Sequence, residues 1–158
     1  MAARLALAQH NVLWCRPPVD RTRAALPVAL LPQDTLLGSA DAVSLHLRAT
    51  PQTQEIIDAR RLALLGPRAL LVNTARAALL DMAELRRRLT AGLLGGVALD
   101  VFDVEPLPPG DPLRSHPNAL VTPHMAWMTD DAVGRFLAAA LAFATSGDAG
   151  TGPVRRLV

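Results

Sequence analysis

The sequence predicts an α/β domain: a parallel sheet with helices on both faces. Three observations carry that prediction. Short apolar runs alternate with helical stretches along the 158 residues, and strands that alternate with helices pair in parallel through crossovers. Residues 69–74 are apolar without alternation, as expected where both faces of a sheet are covered. Three runs end in polar or charged residues: Leu71-Val72-Asn73-Thr74-Ala75-Arg76, Leu99-Asp100-Val101-Phe102-Asp103-Val104-Glu105-Pro106 and Val121-Thr122-Pro123-His124. Ligands of an open α/β sheet bind at the carboxyl ends of its strands.

The elements follow in order. Residues 2–10, rich in Ala and Leu, predict a helix that Asn11 ends. Val12-Leu13-Trp14-Cys15 reads as a short buried strand stopped by Arg16-Pro17-Pro18. Residues 18–27 read as loop and 28–31 as a brief strand, and Asp34 is placed to cap a short helix through Ser39. Residues 42–47 form the next strand, 48–54 have turn chemistry around Pro51, and 54–65 predict a helix ended by Gly66-Pro67. After the strand at 69–74, Asp81 caps a helix reaching Thr90, with Ala83, Leu85 and Leu89 as its apolar face. Gly92 and Gly95-Gly96 punctuate, and 97–101 is a strand. Residues 103–118 are a Pro-rich loop too long for a simple connector, hence a functional one. The last strand is 119–122; Thr129 caps a helix reaching Thr145, and 147–152 make a loose turn. No internal repeat or linker divides the chain, so one domain is expected over residues 1–158.

Composition narrows the function classes. The chain is 51% hydrophobic and 19% charged, which places it among globular proteins. Aromatics are only 3%, so Leu, Val and Ala must build the core. All 16 basic residues are Arg, yet the net charge is only +2. Arg86-Arg87-Arg88 and Arg155-Arg156 read as solvated surface, so no nucleic-acid partner is expected. The single cysteine, Cys15, permits no internal disulfide and reads as a small core residue. No apolar run has the roughly 18 residues of a membrane span, and the start reads as no secretory signal. The expectation is a cytoplasmic protein without a membrane partner, and no metal site is predicted.

Arg76, Glu105 and His124, 29 and 19 residues apart, end three strands. A guanidinium, a carboxylate and an imidazole on one rim suit the protonation of a carbonyl beside a carboxylate. Read singly, each has a plainer alternative: a structural histidine, a loop carboxylate, a helix-flanking charge. His46, inside an apolar run, reads equally as a core histidine or a cofactor contact. Trp127 either packs over the site or fills core; His10 and His116 read as surface.

Five segments lie in register along the chain: Ala40-Asp41-Ala42-Val43-Ser44-Leu45-His46-Leu47, Thr50-Pro51-Gln52-Thr53, Leu71 to Ala75 with Arg76, Ala98 to Pro106, and Thr122-Pro123-His124-Met125-Ala126-Trp127. Together they resemble the nucleotide-binding domain of the D-isomer-specific 2-hydroxyacid dehydrogenases, and the closing Gly152-Pro153-Val154-Arg155-Arg156-Leu157-Val158 resembles the family's end segment. The resemblance implies a Rossmann-like fold and reduction of 2-keto acids, or oxidation of D-2-hydroxy acids, with NAD or NADP. It implies that His124 protonates the keto oxygen, that Glu105 holds the second imidazole nitrogen and orients the ring, and that Arg76 binds the keto oxygen and carboxylate. Asp100 would lie near the nicotinamide carboxamide. His46, Thr53, Thr74, Ala75 and Ala126 would line the cofactor, and a homodimer is expected.

The same resemblance marks departures. The glycine-rich fingerprint and the first strand that precede the family's first helix are expected to be lacking, so the chain reads as an N-terminally truncated domain without the substrate-binding domain. Without that strand, the one at 12–15 is expected to part from the one at 42–47. Cys15 stands where an acidic residue usually binds the adenosine ribose, and Arg16 beside it favours NADP. Ala77 replaces a usual glycine; Arg48 and Arg68 stand where Pro and Gly are common. An inactive remnant that serves as a binding or dimerisation module is the alternative to an oxidoreductase.

Overall fold

The computed structural model describes residues 13–14 and 29–146. The expected helix at 2–10, the loop at 18–27, the turn at 147–152, and residues His10, Cys15, Arg16, Arg155 and Arg156 lie outside the described residues. The chain divides into two compact units, Met1–Pro123 and His124–Val158.

In the first unit β1 (Leu13–Trp14) pairs in parallel with β2 (Ala29–Leu30). A separate four-stranded parallel sheet contains β3 (Ala42–Leu45), β4 (Leu70–Asn73), β5 (Gly96–Leu99) and β6 (Ala119–Val121), in that spatial order. Among the described residues the two sheets are not joined, in line with the expected parting of the strand at 12–15 from the one at 42–47. Among the described residues, the helices of this unit are α1 (Gln33–Ser39), α2 (Ala59–Leu62) and α3 (Met82–Thr90). The architecture is a Rossmann-like α/β fold, a parallel sheet flanked by helices.

The core is built mainly of aliphatic residues, with Phe102 packed among them, in keeping with the scarcity of aromatics. Leu71, Leu62 and Leu85 are wholly buried, and Leu37, Leu45, Leu89, Val97 and Leu99 join the same cluster. Burying such side chains contributes about 1.5–3 kcal/mol each. The strands run unevenly: Leu71 and Asn73 are sealed while Val72 between them is half-buried.

Local chemistry explains the well-formed ends of α3. The Asp81 carboxylate accepts from the Glu84 N–H at 2.9 Å, as expected. At the other end Gly92 takes φ +67°. Its N–H donates to the Leu89 carbonyl and the Leu93 N–H to the Arg88 carbonyl, a Schellman closure. Gly95 is needed for another reason: a Cβ there would sit 2.6 Å from the Arg68 carbonyl carbon and oxygen.

Four expectations need correction. Asp34 does not cap α1; the N-cap is Pro32, without a side-chain bond. The Asp34 carboxylate is taken instead by Arg60 at 2.8 Å and Arg61 at 3.2 Å, partners that only the fold supplies. The helix expected over 54–65 shrinks to α2, because Ile57 pairs with Leu80 in a parallel bridge and Glu55 adopts φ +46°. The helix starts only where the Asp58 side chain accepts from the Arg61 N–H. Ala83 is exposed, and the buried face of α3 is Met82, Leu85, Arg88 and Leu89. Arg88 is therefore not solvated surface: it is 8% exposed and donates to the Leu93 carbonyl at 3.2 Å.

The second unit contains α4 (Asp130–Ser146). The Thr129 hydroxyl accepts from the Ala132 N–H at 3.1 Å, and Asp130 and Asp131 lie in the first turn, where the helix dipole favours acids. Among the described residues no helix is long and apolar enough to cross a membrane.

Candidate active site

The register of the four-stranded sheet brings its carboxyl ends level. Leu45, Asn73, Leu99 and Val121 pair in one row across β3, β4, β5 and β6. The next residue of each strand is His46, Thr74, Asp100 and Thr122. Three of these were singled out from the sequence, and the fold sets them on one rim.

A chain of polar contacts stitches that rim. The Asp100 N–H donates to the Asn73 carbonyl at 3.1 Å, and the Thr122 N–H to the Leu99 carbonyl at 3.0 Å. Asp100 is 2% exposed, and its carboxylate accepts from the Thr122 hydroxyl at 2.5 Å. Asn73 is wholly buried; its Oδ1 accepts from the Ala75 N–H at 3.0 Å and its Nδ2 donates to the Arg76 carbonyl at 2.9 Å. Sequence reasoning missed Asn73 and Thr122. The available signal was a polar residue closing an apolar strand, which reports a partner without naming it.

Arg76 follows β4 in extended backbone, φ −152° and ψ 140°, ahead of a 3₁₀ turn at Ala77–Leu79. Its side chain is exposed, with Nη1 donating to the Ala75 carbonyl at 2.6 Å. Ala77 beside it is buried. Glu105 follows β5 and is exposed; its Oε1 accepts from the Phe102 N–H at 2.9 Å, which folds the start of the Pro-rich segment back on itself. Arg76 and Glu105 thus emerge from adjacent strands of one sheet.

The Pro-rich segment is packed and tethered. Leu107 and Leu113 are buried, and a 3₁₀ turn spans Pro112–Arg114. Arg86 on α3 reaches Asp103 and Asp111, each at 2.7 Å. The hydrogen bond from Arg86 holds the Asp103 carboxyl below its ordinary value, against the upward push of burial. The same two acids hold the Arg86 guanidinium well above its ordinary range. Arg86 was read from sequence as solvated surface; it is instead the anchor of the segment that carries Glu105.

The other expected cofactor residues differ in their settings. His46 is exposed, which removes the core reading; its Nε2 lies 2.8 Å from the Ser44 hydroxyl. The Thr53 hydroxyl is engaged in its own turn, donating to the Arg48 carbonyl at 2.7 Å and accepting from the Thr50 N–H at 2.8 Å. Thr74 is exposed and Ala75 half-buried. Among the described residues no group of three or more His, Cys, Asp or Glu is placed to hold a metal ion.

His124 and Ala126 belong to the second unit. His124 has φ +54°, in the left-handed region that few residues other than glycine occupy. Its carbonyl accepts from the Trp127 indole N–H at 3.2 Å. Met125 to Met128 closes as a turn through the Met128 N–H and the Met125 carbonyl, 2.8 Å apart, with Ala126 inside it.

Comparison with known proteins places this geometry. Residues 1–126 match the family described as D-isomer specific 2-hydroxyacid dehydrogenase, NAD binding domain. A glyoxylate reductase of Thermofilum pendens is 42% identical over 99 residues, 63% of this chain and 29% of that protein. A D-3-phosphoglycerate dehydrogenase of Mycobacterium tuberculosis is 39% identical over 136 residues, 85% of this chain and 26% of that protein. The chain therefore spans only 26–29% of these curated relatives. Among solved structures, a protein of Thermus thermophilus has a TM-score of 0.81 at 39% identity, covering 97% of this chain and 49% of that one. A D-isomer specific 2-hydroxyacid dehydrogenase of Xanthobacter autotrophicus, crystallised with NADPH and MES, has a TM-score of 0.75 at 32% identity, covering 98% of this chain and 64% of that one. By the match over residues 1–126 and the parallel sheet that carries it, the chain belongs to the D-isomer-specific 2-hydroxyacid dehydrogenase family.

Proposed function

We propose that this chain carries the nicotinamide-binding and catalytic wall of an oxidoreductase that interconverts 2-keto acids and D-2-hydroxy acids. The single observation that supports it most is the level row of strand ends, from which His46, Thr74, Asp100 and the Arg76 and Glu105 segments all leave. Ligands of open α/β sheets bind on that side. Family membership supplies the chemistry.

Arg76 holds the substrate carboxylate and keto oxygen; its exposed planar fork suits paired oxygens better than a lysine. Carried over from the family, His124 is the proton donor to the keto oxygen and Glu105 the carboxylate that steadies a catalytic imidazole. The left-handed backbone of His124 supports a functional role, because such conformations cluster at active sites. The residues at the rim suit a nicotinamide: Asp100 supplies a carboxylate for its carboxamide, and His46, Thr74 and Ala75 line its bed. Ala126 is carried over from the family as a further cofactor residue. Thr53, whose hydroxyl is held in its own turn, is carried over from the family as a residue that lines the cofactor. When bound, the dinucleotide supplies or accepts the hydride. Cys15 and Arg16 receive the adenosine ribose, with Arg16 favouring NADP.

With it goes a nucleotide-binding domain over residues 1–158, in a cytoplasmic protein that forms a homodimer. Titration of the purified chain with NADPH and NADH, followed by glyoxylate turnover at saturating cofactor, tests the proposal. Binding with turnover supports it. Failure of both dinucleotides to bind at millimolar concentration overturns it and leaves the non-catalytic binding or dimerisation module. Sedimentation giving only monomer overturns the dimer.

A further inference from the structure

We infer that Asn73 is a positioning residue whose carboxamide sets the turn from which Arg76 reaches its substrate. The inference rests on the reading of Arg76 as the substrate-binding arginine. Asn73 is the last residue of β4 and is wholly buried, with Arg88 and Asp100 one of three buried polar or charged residues among the described residues. A buried polar side chain is retained at a cost unless its groups are satisfied. Here both ends of the amide are spent on the same short turn. Oδ1 accepts from the Ala75 N–H at 3.0 Å, and Nδ2 donates to the Arg76 carbonyl at 2.9 Å.

That carbonyl also receives the Leu79 N–H at 3.3 Å, from the 3₁₀ turn beyond it. The Arg76 backbone is thus pinned from both sides, while its guanidinium stays exposed. The Asn73 main-chain carbonyl takes the Asp100 N–H, which ties the turn to β5. One buried side chain therefore connects the segment of Arg76 to the sheet and, through the backbone, to the neighbouring strand end. A donor–acceptor pair of this kind admits one amide orientation, since a flip would set Nδ2 against an N–H and Oδ1 against a carbonyl. A side chain that must meet a carboxylate from a loop needs such support, because a displacement of about 1 Å can cost on the order of 10²-fold in rate.

Two substitutions separate the two bonds. Asn73→Asp keeps the oxygen that accepts from Ala75 and sets an oxygen against the Arg76 carbonyl. Asn73→Leu keeps the volume and removes both bonds. The readouts are amide exchange at Ala75 and Arg76 by nuclear magnetic resonance, and KM for glyoxylate beside the Kd for NADPH. In Asn73→Leu the Ala75 amide is expected to exchange about tenfold faster or more, the loss of roughly one buried hydrogen bond. In Asn73→Asp its protection is expected to persist, while KM for glyoxylate rises about tenfold and NADPH affinity holds within about twofold. Unchanged Ala75 exchange in a folded Asn73→Leu chain overturns the inference, as does an Asn73→Asp chain whose glyoxylate KM is unchanged. Should the buried carboxylate prevent folding, Asn73→Ser replaces it, with the same expected rise in KM. A native chain that turns over no keto acid overturns the substrate role of Arg76, while the exchange measurement still decides whether Asn73 sets the turn.

Discussion

The Thr122 hydroxyl donates to the Asp100 carboxylate across 2.5 Å and so joins the carboxyl end of β6 to that of β5. Asp100 is 2% exposed, so the bond is made away from bulk water. Thr122→Val keeps the shape and deletes the donor. It is expected to destabilise the fold by about 1–3 kcal/mol, the cost of withdrawing a partner from a buried polar group. Urea unfolding measures it, and an unchanged midpoint would show the bond to be idle.

Arg86 serves two acids of different burial. Its side chain is 18% exposed, Asp111 is 7% exposed and Asp103 is 47% exposed. Removing the arginine leaves Asp111 buried beside a vacated guanidinium site. Arg86→Met is therefore expected to cost about 2 kcal/mol or more, between the ~1 kcal/mol ceiling of exposed pairs and the ~3–5 kcal/mol of broken buried ones. Asp103→Asn is expected to cost less than about 1 kcal/mol. Equal costs in chemical denaturation would contradict the difference in burial.

Acid weakens the Asp103 half of this anchor. The Asp103 carboxyl is held below its ordinary value, first by the hydrogen bond from Arg86. A carboxylate with a lowered folded value contributes stability that is present above its ordinary value, about 3.9, and is lost as pH falls through the lower one. The stability difference between the native chain and Asp103→Asn is therefore expected at pH 7 and absent once Asp103 is protonated in both folded and unfolded states. Melting curves across that acid range check it; a difference that persists there would assign the effect to something other than charge.

Two glycines are predicted to differ in how they fail. Gly92→Ala forces an L side chain into φ +67° with open space around it, for a cost of about 1–2 kcal/mol. Gly95→Ala places a methyl 2.6 Å from the Arg68 carbonyl, where backbone must move, and is expected to cost more. Thermal unfolding that ranks them the other way would refute the close approach.

For turnover, His124→Ala is expected to lower kcat about 10²–10⁴-fold, the usual contribution of a general acid. Arg76→Lys is expected to raise KM for the keto acid, since a point charge cannot match two oxygens at once. More than about a tenth of native kcat in His124→Ala would remove it from the proton-transfer role.

Periodicity and capping chemistry made much of the fold legible. The Asp81 cap, the glycine after α3, the apolar strand at Leu70–Asn73 and the Thr129 cap were all readable, because each depends on neighbours within a few residues. The helix around Asp58 was overdrawn because its upstream backbone groups are claimed by Leu79 and Asp81, which no local window contains. Arg86 and Arg88 were misjudged for the same reason: an arginine on a helix carries no mark of the distant acid or carbonyl that will bury it.

From its own residues the chain determined the α/β class, the order of the strands along it, and the family whose motifs they carry. Only the tertiary structure decided which strand ends stand level, how Asn73 and Thr122 spend their polar groups, and what Arg86 restrains. The division follows from range. Helix and strand propensities act between residues close in sequence, whereas hydrogen bonds between neighbouring strands of a parallel sheet join residues about twenty or more positions apart, and their partners exist only once the sheet has formed.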